Sequence, residues 1–345
     1  MAAQKTYIRK LRYAVQLAFL ALTLYIGYQF YHFVLHFRDP SHPFVQRPSS
    51  VDAFLPISGL MSLKFFLFTG IIEPLHPAAF TIFVAVLVAS LLMKKGFCGW
   101  ICPVGTISQY FWMVGKKVFG KNFRIENYLD MPLRSLKYIL MALFLLLIGV
   151  AMMPNMMVLF FITDYYKSAD IMTMNVFARM SRTTMWVLLV LGSLSLLYKN
   201  FWCRYLCPYG ALLGLLSYLS PAKIRRDEEH CIHCRSCSRS CPSLIDVEKK
   251  EVVNSPECFG CMTCVSSCPS QNALDVTLKT GKARRVFQPY LFPLALIVIF
   301  YLVIGIGMAV GKWDSQIPYE EYKRIIPELY KNQEHYSERY FIRKS

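Results

Sequence analysis

Twelve cysteines carry the chemistry this chain of 345 residues could do, and all of them fall in four short runs, each ending in a Cys-Pro step. Cys231, Cys234, Cys237 and Cys241 are spaced C-x2-C-x2-C-x3-C before Pro242, and Cys258, Cys261, Cys264 and Cys268 repeat the pattern before Pro269. Iron–sulfur clusters take soft thiolate ligands. A tight loop with a cysteine at every third position wraps three thiolates around one cube, and the fourth cysteine of each run ligates the other cluster. The spacing therefore predicts two [4Fe–4S] sites: Cys231, Cys234, Cys237 and Cys268 for one, and Cys258, Cys261, Cys264 and Cys241 for the other. Zinc also favours C-x2-C pairs, but a zinc site has no need of a doubled four-cysteine run. His230 and His233 flank the first cysteines. They are candidates for hydrogen bonds that tune a cluster, or are simply solvated. Secreted disulfide scaffolds scatter their cysteines, so this grouping argues against one.

The other four cysteines form a second device. Cys98-x3-Cys102-Pro103-x-Gly105 recurs as Cys203-x3-Cys207-Pro208-x-Gly210 at an offset of 105 residues. If the chain is helical there, each pair lies on one helix face. Four readings stand open: a shared third cluster, transient copper binding, a reversible dithiol, and inert buried thiols. The repeat and the neighbouring Phe97, Trp100, Trp202 and Tyr205 argue against the last.

Elements that position these residues must be largely embedded in lipid. Hydrophobic residues make up 55% of the chain and charged ones 17%, against about 25% charged in an average soluble chain. Residues 13–37, 77–93, 138–163, 183–198 and 286–311 contain no Asp, Glu, Lys or Arg. A bilayer core needs about 20 apolar helical residues. These runs predict an α-helical integral membrane protein of about five transmembrane helices, with a small α+β ferredoxin-like domain of the bacterial 2[4Fe–4S] type. The two shorter runs end in Lys94, Lys95 and Lys199, expected to snorkel to the headgroups. The expected organisation is a membrane domain over 1–220 with two parallel repeats, a ferredoxin-like domain over 221–285, a fifth span over 286–311 and a tail over 312–345. Each repeat should include an apolar surface helix, at Thr106–Val118 and at Ala211–Leu219, and Leu60–Ile72 reads as interfacial or re-entrant. The first run is too long for a signal peptide and lacks a small-residue cleavage site, so an uncleaved anchor is expected.

The net charge of +17 does not imply nucleic acid. With five spans and the N-terminus inside, 25 of the 38 Lys and Arg fall on cytoplasmic segments, as the positive-inside bias requires. That places the N-terminus and ferredoxin domain in the cytoplasm, the tail outside, and the chain in the inner membrane.

Two C-x3-C-P pairs after membrane runs, followed by a double C-x2-C-x2-C-x3-C-P segment, resemble the membrane polyferredoxins of the NapH, NosR and CcoG type. The resemblance covers about residues 10–310, and the order of elements is most similar to NapH-like members. It implies an electron-transfer subunit working between the quinone pool or cytoplasm and an outer or peripheral reductase or cytochrome. NapH-like members are regarded as quinol-dehydrogenase components. CcoG-like members imply the alternative, a copper-reducing or redox-sensing assembly factor.

Three further features carry expectations. Glu73 and His76 lie in an apolar stretch broken by Pro74 and Pro77, and are candidates for taking protons from a quinol near the outer face; the alternative is an ordinary outer loop. His32 and His36 share one face of one helix, which cannot supply both axial ligands of a haem. Gly305-x-Gly307-x3-Gly311 sits in an apolar run with no strand before it, and reads as helix packing through Gly307-x3-Gly311 rather than a dinucleotide site.

Overall fold

The computed structural model describes residues 2–280 and 283–342. Three helices are long and apolar enough to cross a membrane: Tyr7–Arg38, Tyr128–Ala151 and Leu291–Ala309. A fourth span is obtained if Ala169–Ala178 and Arg182–Leu197, bent by 74° at their junction, are taken as one. The chain is thus a mostly helical membrane protein with three such helices among the described residues, or four. Helix Pro77–Leu92 forms where a span was expected but has only 16 residues, about 24 Å at 1.5 Å per residue. The expected run 138–163 also ends early. Its helix starts at Asn127, passes into a π-helical stretch Leu147–Ala151 and stops before Pro154. Pro154 has no N–H to continue the ladder, and instead opens a new helix, Pro154–Phe161. Apolar composition carries no sign of that break beyond the proline.

The chain divides into two compact units. The first comprises 1–22, 84–147 and 183–305 and holds all twelve cysteines. Its four-stranded antiparallel sheet has the order β2-β1-β3-β4, with β1 Ala222–Arg226, β2 Val252–Val253, β3 Leu274–Thr280 and β4 Ala283–Phe287. Ile224 pairs with Val253 on one side and Val276 on the other, and these three apolar side chains are buried. Helices form where the two surface helices were expected, as Pro103–Phe119 and Pro208–Leu216, each with its proline in the first turn. Helix Pro103–Phe119 meets helix Arg182–Leu197 at Gly115, where a Cβ would lie 1.8 Å from the Leu196 carbonyl oxygen.

The second unit comprises 23–83, 148–182 and 306–345. Phe30, Phe33, Val34, Ile171 and Ile326 are the centre of its apolar core. The expected tail is helical over Tyr319–Ile342, and Tyr322, Ile326 and Tyr330 bury into that core. Arg324 fixes the same helix by donating to both Asp164 oxygens at 2.6 and 3.0 Å. Gly307 packs tightly, since a Cβ there would lie 2.4 Å from Thr81 Cγ2. Gly311 does not share this role. It faces open space at φ +69° and follows the end of the helix, a left-handed stop that glycine adopts without strain.

Candidate functional site

The two ferredoxin loops are built alike. His233 and Arg235 bracket Cys234 with φ of +53° and +58°, and Gly260 and Met262 bracket Cys261 with φ of +59° and +56°. Three of these four residues carry a side chain, and each left-handed non-glycine residue costs about 1–2 kcal/mol. Short helices follow at the same place in each loop, Ser236–Ser240 and Thr263–Ser266. Such backbone curls direct N–H groups into a concavity suited to anions.

Cys241, Cys258, Cys261 and Cys264 line one cavity, closed by Ile224, Ile245, Val247, Val253 and Phe259. All four are buried. Burial, and the other sulfurs of this set, push the Cys264 thiol well up, and Cys241 to about 12. In the other set Cys237 feels the charge of Cys268, Cys231 and Cys268 are half-buried, and Cys234 is exposed. His233 pairs with Glu248 at 3.0 Å and His230 with Asp227 at 3.3 Å, both with about half of the side chain in solvent (57% and 51%).

The paired cysteines depart from the one-face expectation. Cys98 sits in the short helix Gly96–Trp100, but Cys102 is extended and precedes helix Pro103–Phe119. Cys203 lies in a π-turn, Trp202–Leu206, and Cys207 precedes helix Pro208–Leu216, its sulfur accepting the Gly210 N–H at 3.2 Å. The proline after each second cysteine forces the break, because the residue before proline avoids the helical region. The two pairs meet nonetheless. Burial, Cys207, Cys102 and Cys98 all raise the Cys203 thiol. Burial raises Cys98 against the pull of Lys95, and raises Cys102 to about 11. Thiols held protonated by burial are poor nucleophiles.

The four-cysteine site adjoins the second ferredoxin loop. Cys203, Phe259 and Cys261 form one buried cluster, with Cys98 and Trp202 packed on it. Gly99 admits this approach, because a Cβ there would lie 2.8 Å from the Phe259 carbonyl oxygen and 3.4 Å from Cys261 Cβ. Trp100 donates to the Gly260 carbonyl at 3.0 Å.

Charged residues that looked like membrane flanks clamp this junction. Arg12 is 7% exposed and donates to the Gly99 carbonyl at 3.1 Å, to Thr263 Oγ1 at 2.7 Å and to Gln109 Oε1. Arg204 grips Asp130 with two bonds of 3.0 and 2.8 Å. Lys137 donates to both oxygens of Glu257, beside Cys258, at 2.5 and 2.7 Å. Burial works against the Glu257 carboxylate, but Lys95 and Lys137 hold it below its usual range. Lys94 and Lys95 do not snorkel. Both are 1% exposed, Lys94 donates to the Val253 carbonyl at 2.7 Å, and Lys95 lies over the Phe259 ring at 5.1 Å. The sequence held one signal for Lys95: it stands three residues before Cys98, a helical neighbour spacing.

Glu73 and His76 belong to the second unit, and neither lies in an open loop: they are 1% and 0% exposed. Glu73 accepts the Leu75 N–H at 2.6 Å, the His76 N–H at 3.2 Å and the Tyr166 hydroxyl at 3.2 Å. Burial raises its carboxyl despite those donors and His76. The His76 ring faces acceptors on both sides, Asp52 Oδ1 at 3.1 Å and the Tyr166 carbonyl at 3.0 Å. Burial opposes its charge, but Asp52 carries its pKa up to about 9. Arg47 completes the group, bonding Asp52 and, at 2.9 Å, Asp170. The acids Asp52 and Asp170 with His76 are close enough to hold a metal ion, but the Arg47 guanidinium supplies the cation there. His36 bonds the His42 carbonyl and the Tyr319 hydroxyl through its two nitrogens, at 2.7 and 2.9 Å.

A family model described as "4Fe-4S binding domain" matches residues 75–122 and again 180–227, and one described as "4Fe-4S dicluster domain" matches 223–269. The first model's two matches start 105 residues apart, the offset of the cysteine pairs, and each contains one pair. Cysteine loops of this form beside apolar helices of membrane-crossing length define a membrane-bound iron–sulfur protein of electron transport. The chain belongs to the NapH/NosR-type family of membrane polyferredoxins. It is 41% identical, over 92% of its length and 90% of the other's, to YccM of Escherichia coli (strain K12), named as a candidate electron transport protein. It is 28% identical to the ferredoxin-type protein NapH of Haemophilus influenzae, over 50% of this chain and 54% of that one. To the regulatory protein NosR of Pseudomonas aeruginosa it is 25% identical, over 48% of this chain and 22% of that one. No solved structure matches the chain significantly.

Proposed function

We propose that the protein relays electrons between the quinone pool or cytoplasm and a reductase partner, through three thiolate-ligated centres. One observation carries this reading: Phe259 and Cys261 of the second ferredoxin loop share a buried cluster with Cys203 and Cys98. A carrier with isolated ferredoxin sites would not need that contact.

In this reading Cys231, Cys234, Cys237 and Cys268 hold one [4Fe–4S] cluster, Cys258, Cys261, Cys264 and Cys241 a second, and Cys98, Cys102, Cys203 and Cys207 a third. The donor set fits: four convergent thiols, a protonated state that metal binding would displace, and a buried Lys95 amine with no hydrogen-bond partner. When bound, the clusters supply one-electron steps with little change of geometry. The protein's part is to exclude water from the second set and to hold the loops of the second and third sets in register through Arg12, Trp100 and Lys137.

The proposed topology keeps five spans. Pro77–Leu92 and the bent pair at 169–197 act as short spans in a thinned bilayer, and the ferredoxin loops face the cytoplasm of an inner-membrane protein. The deciding measurement is iron and acid-labile sulfide per chain after anaerobic purification. About twelve irons are expected, falling to about eight in Cys203→Ser. Eight in both would leave the paired cysteines to copper or dithiol chemistry, as in a copper-reducing or redox-sensing assembly factor.

For the quinol, the proposed proton acceptor is Glu73, whose burial keeps its carboxyl proton-hungry, backed by His76. Glu73→Gln should lower quinol-driven reduction of the clusters at least tenfold while leaving iron content intact. Unchanged quinol turnover would remove Glu73 and His76 from the reaction and leave them a purely structural role.

A further inference from the structure

We infer that Lys95 is the charge partner of the four-cysteine centre and raises its reduction potential, an inference that rests on the reading of Cys98, Cys102, Cys203 and Cys207 as a cluster site. Lys95 is 1% exposed, and its Nζ is buried with no hydrogen-bond partner. An ammonium in that state is costly unless a negative group faces it.

Glu257 feels the Lys95 charge, but it also accepts from Lys137 on both oxygens, at 2.5 and 2.7 Å, so one carboxylate serves two ammoniums. Lys94, next in sequence, has its own acceptor in the Val253 carbonyl at 2.7 Å. What Lys95 does face is sulfur. A Cβ on Gly210 would lie 3.4 Å from both Lys95 Nζ and Cys207 Sγ, so ammonium and thiol are within twice that distance of each other. The absent side chain of Gly210 leaves this approach open. Cys98, Cys102 and Cys203 also feel the Lys95 charge, and the Phe259 ring closes the other side at 5.1 Å.

Four neutral thiols would leave Lys95 and Lys137 to share the single carboxylate of Glu257. Four thiolates around an iron–sulfur core carry net negative charge, and each electron accepted adds one more. A fixed positive charge beside them favours the reduced form, because net charge is one of the levers on cluster potential. Lys95 thereby strengthens the pull of the paired-cysteine centre on electrons arriving through the second ferredoxin loop.

The test is an EPR-monitored redox titration of the intact anaerobic protein, with iron counted in each sample, for wild type, Lys95→Met and Lys95→Arg. In Lys95→Met the third centre should become about tenfold harder to reduce, about 59 mV for a one-electron couple. Lys95→Arg should stay near wild type. Loss of four irons in Lys95→Met but not in Lys95→Arg would support the same charge requirement. Twelve irons in all three with an unmoved midpoint would overturn the role of Lys95 and leave the third centre standing. Eight irons in wild type would overturn the third centre, and the charge partnership with it.

Discussion

Replacing Arg47 by methionine should cost about 3–5 kcal/mol, a large part of the 5–15 kcal/mol that typically holds a domain together. The guanidinium bonds Asp52 and Asp170, whose side chains are wholly buried. Burial alone would raise the Asp52 carboxyl, yet Arg47 and His76 hold it below its usual range. Without Arg47, two carboxylates stay in the interior with the His76 imidazolium as the one cation near Asp52 among the described residues. The penalty is the uncompensated charge rather than a lost contact. Adding Asp52→Asn and Asp170→Asn to Arg47→Met should therefore recover part of the loss. Thermal unfolding of the detergent-solubilised protein measures it. An Arg47→Met protein melting within a degree of wild type would show that the group contributes little.

Truncation of Cys241 should mimic truncation of Cys264, although the two lie in different cysteine runs. Both line the same cavity, so Cys241→Ala and Cys264→Ala should each remove about four irons. Both should also stop electron passage from the ferredoxin segment to the Cys98/Cys203 site. Cys268→Ala should instead match Cys234→Ala, since Cys268 stands by Cys237. EPR of the reduced variants separates the two classes by which signal survives. If Cys241→Ala extinguished the same signal as Cys234→Ala, the crossed ligation would be wrong and each run would serve its own cluster.

Much of the cysteine chemistry was legible because its geometry is local. Spacing alone places three sulfurs around one loop, and apolar runs of twenty or more residues mark the spans over Tyr7–Arg38 and Leu291–Ala309. What stayed hidden depends on distant partners. Lys94 and Lys95 end an apolar run as headgroup anchors do, and apart from the spacing of Lys95 to Cys98 nothing nearby indicates that Lys94 will meet Val253 and Lys95 the paired cysteines. Arg47, Asp52 and Asp170 look like surface charges until the fold buries them with His76. The stop at Pro154 was readable from the proline but outweighed by apolar residues on both sides. The crossing of C-x3-C out of one helix into the next likewise follows from Pro103 and Pro208.

The two ferredoxin loops share a backbone but not an environment. Cys234 is exposed, whereas Cys258, Cys261 and Cys264 are buried. In the proposed relay this is a wire with one bare end. A water-borne protein can touch the bare terminal, and trades electrons with the buried second set by way of the first. Insulation thus decides the order of the circuit as well as protecting it, and the terminal that admits a partner is also the one that admits dioxygen.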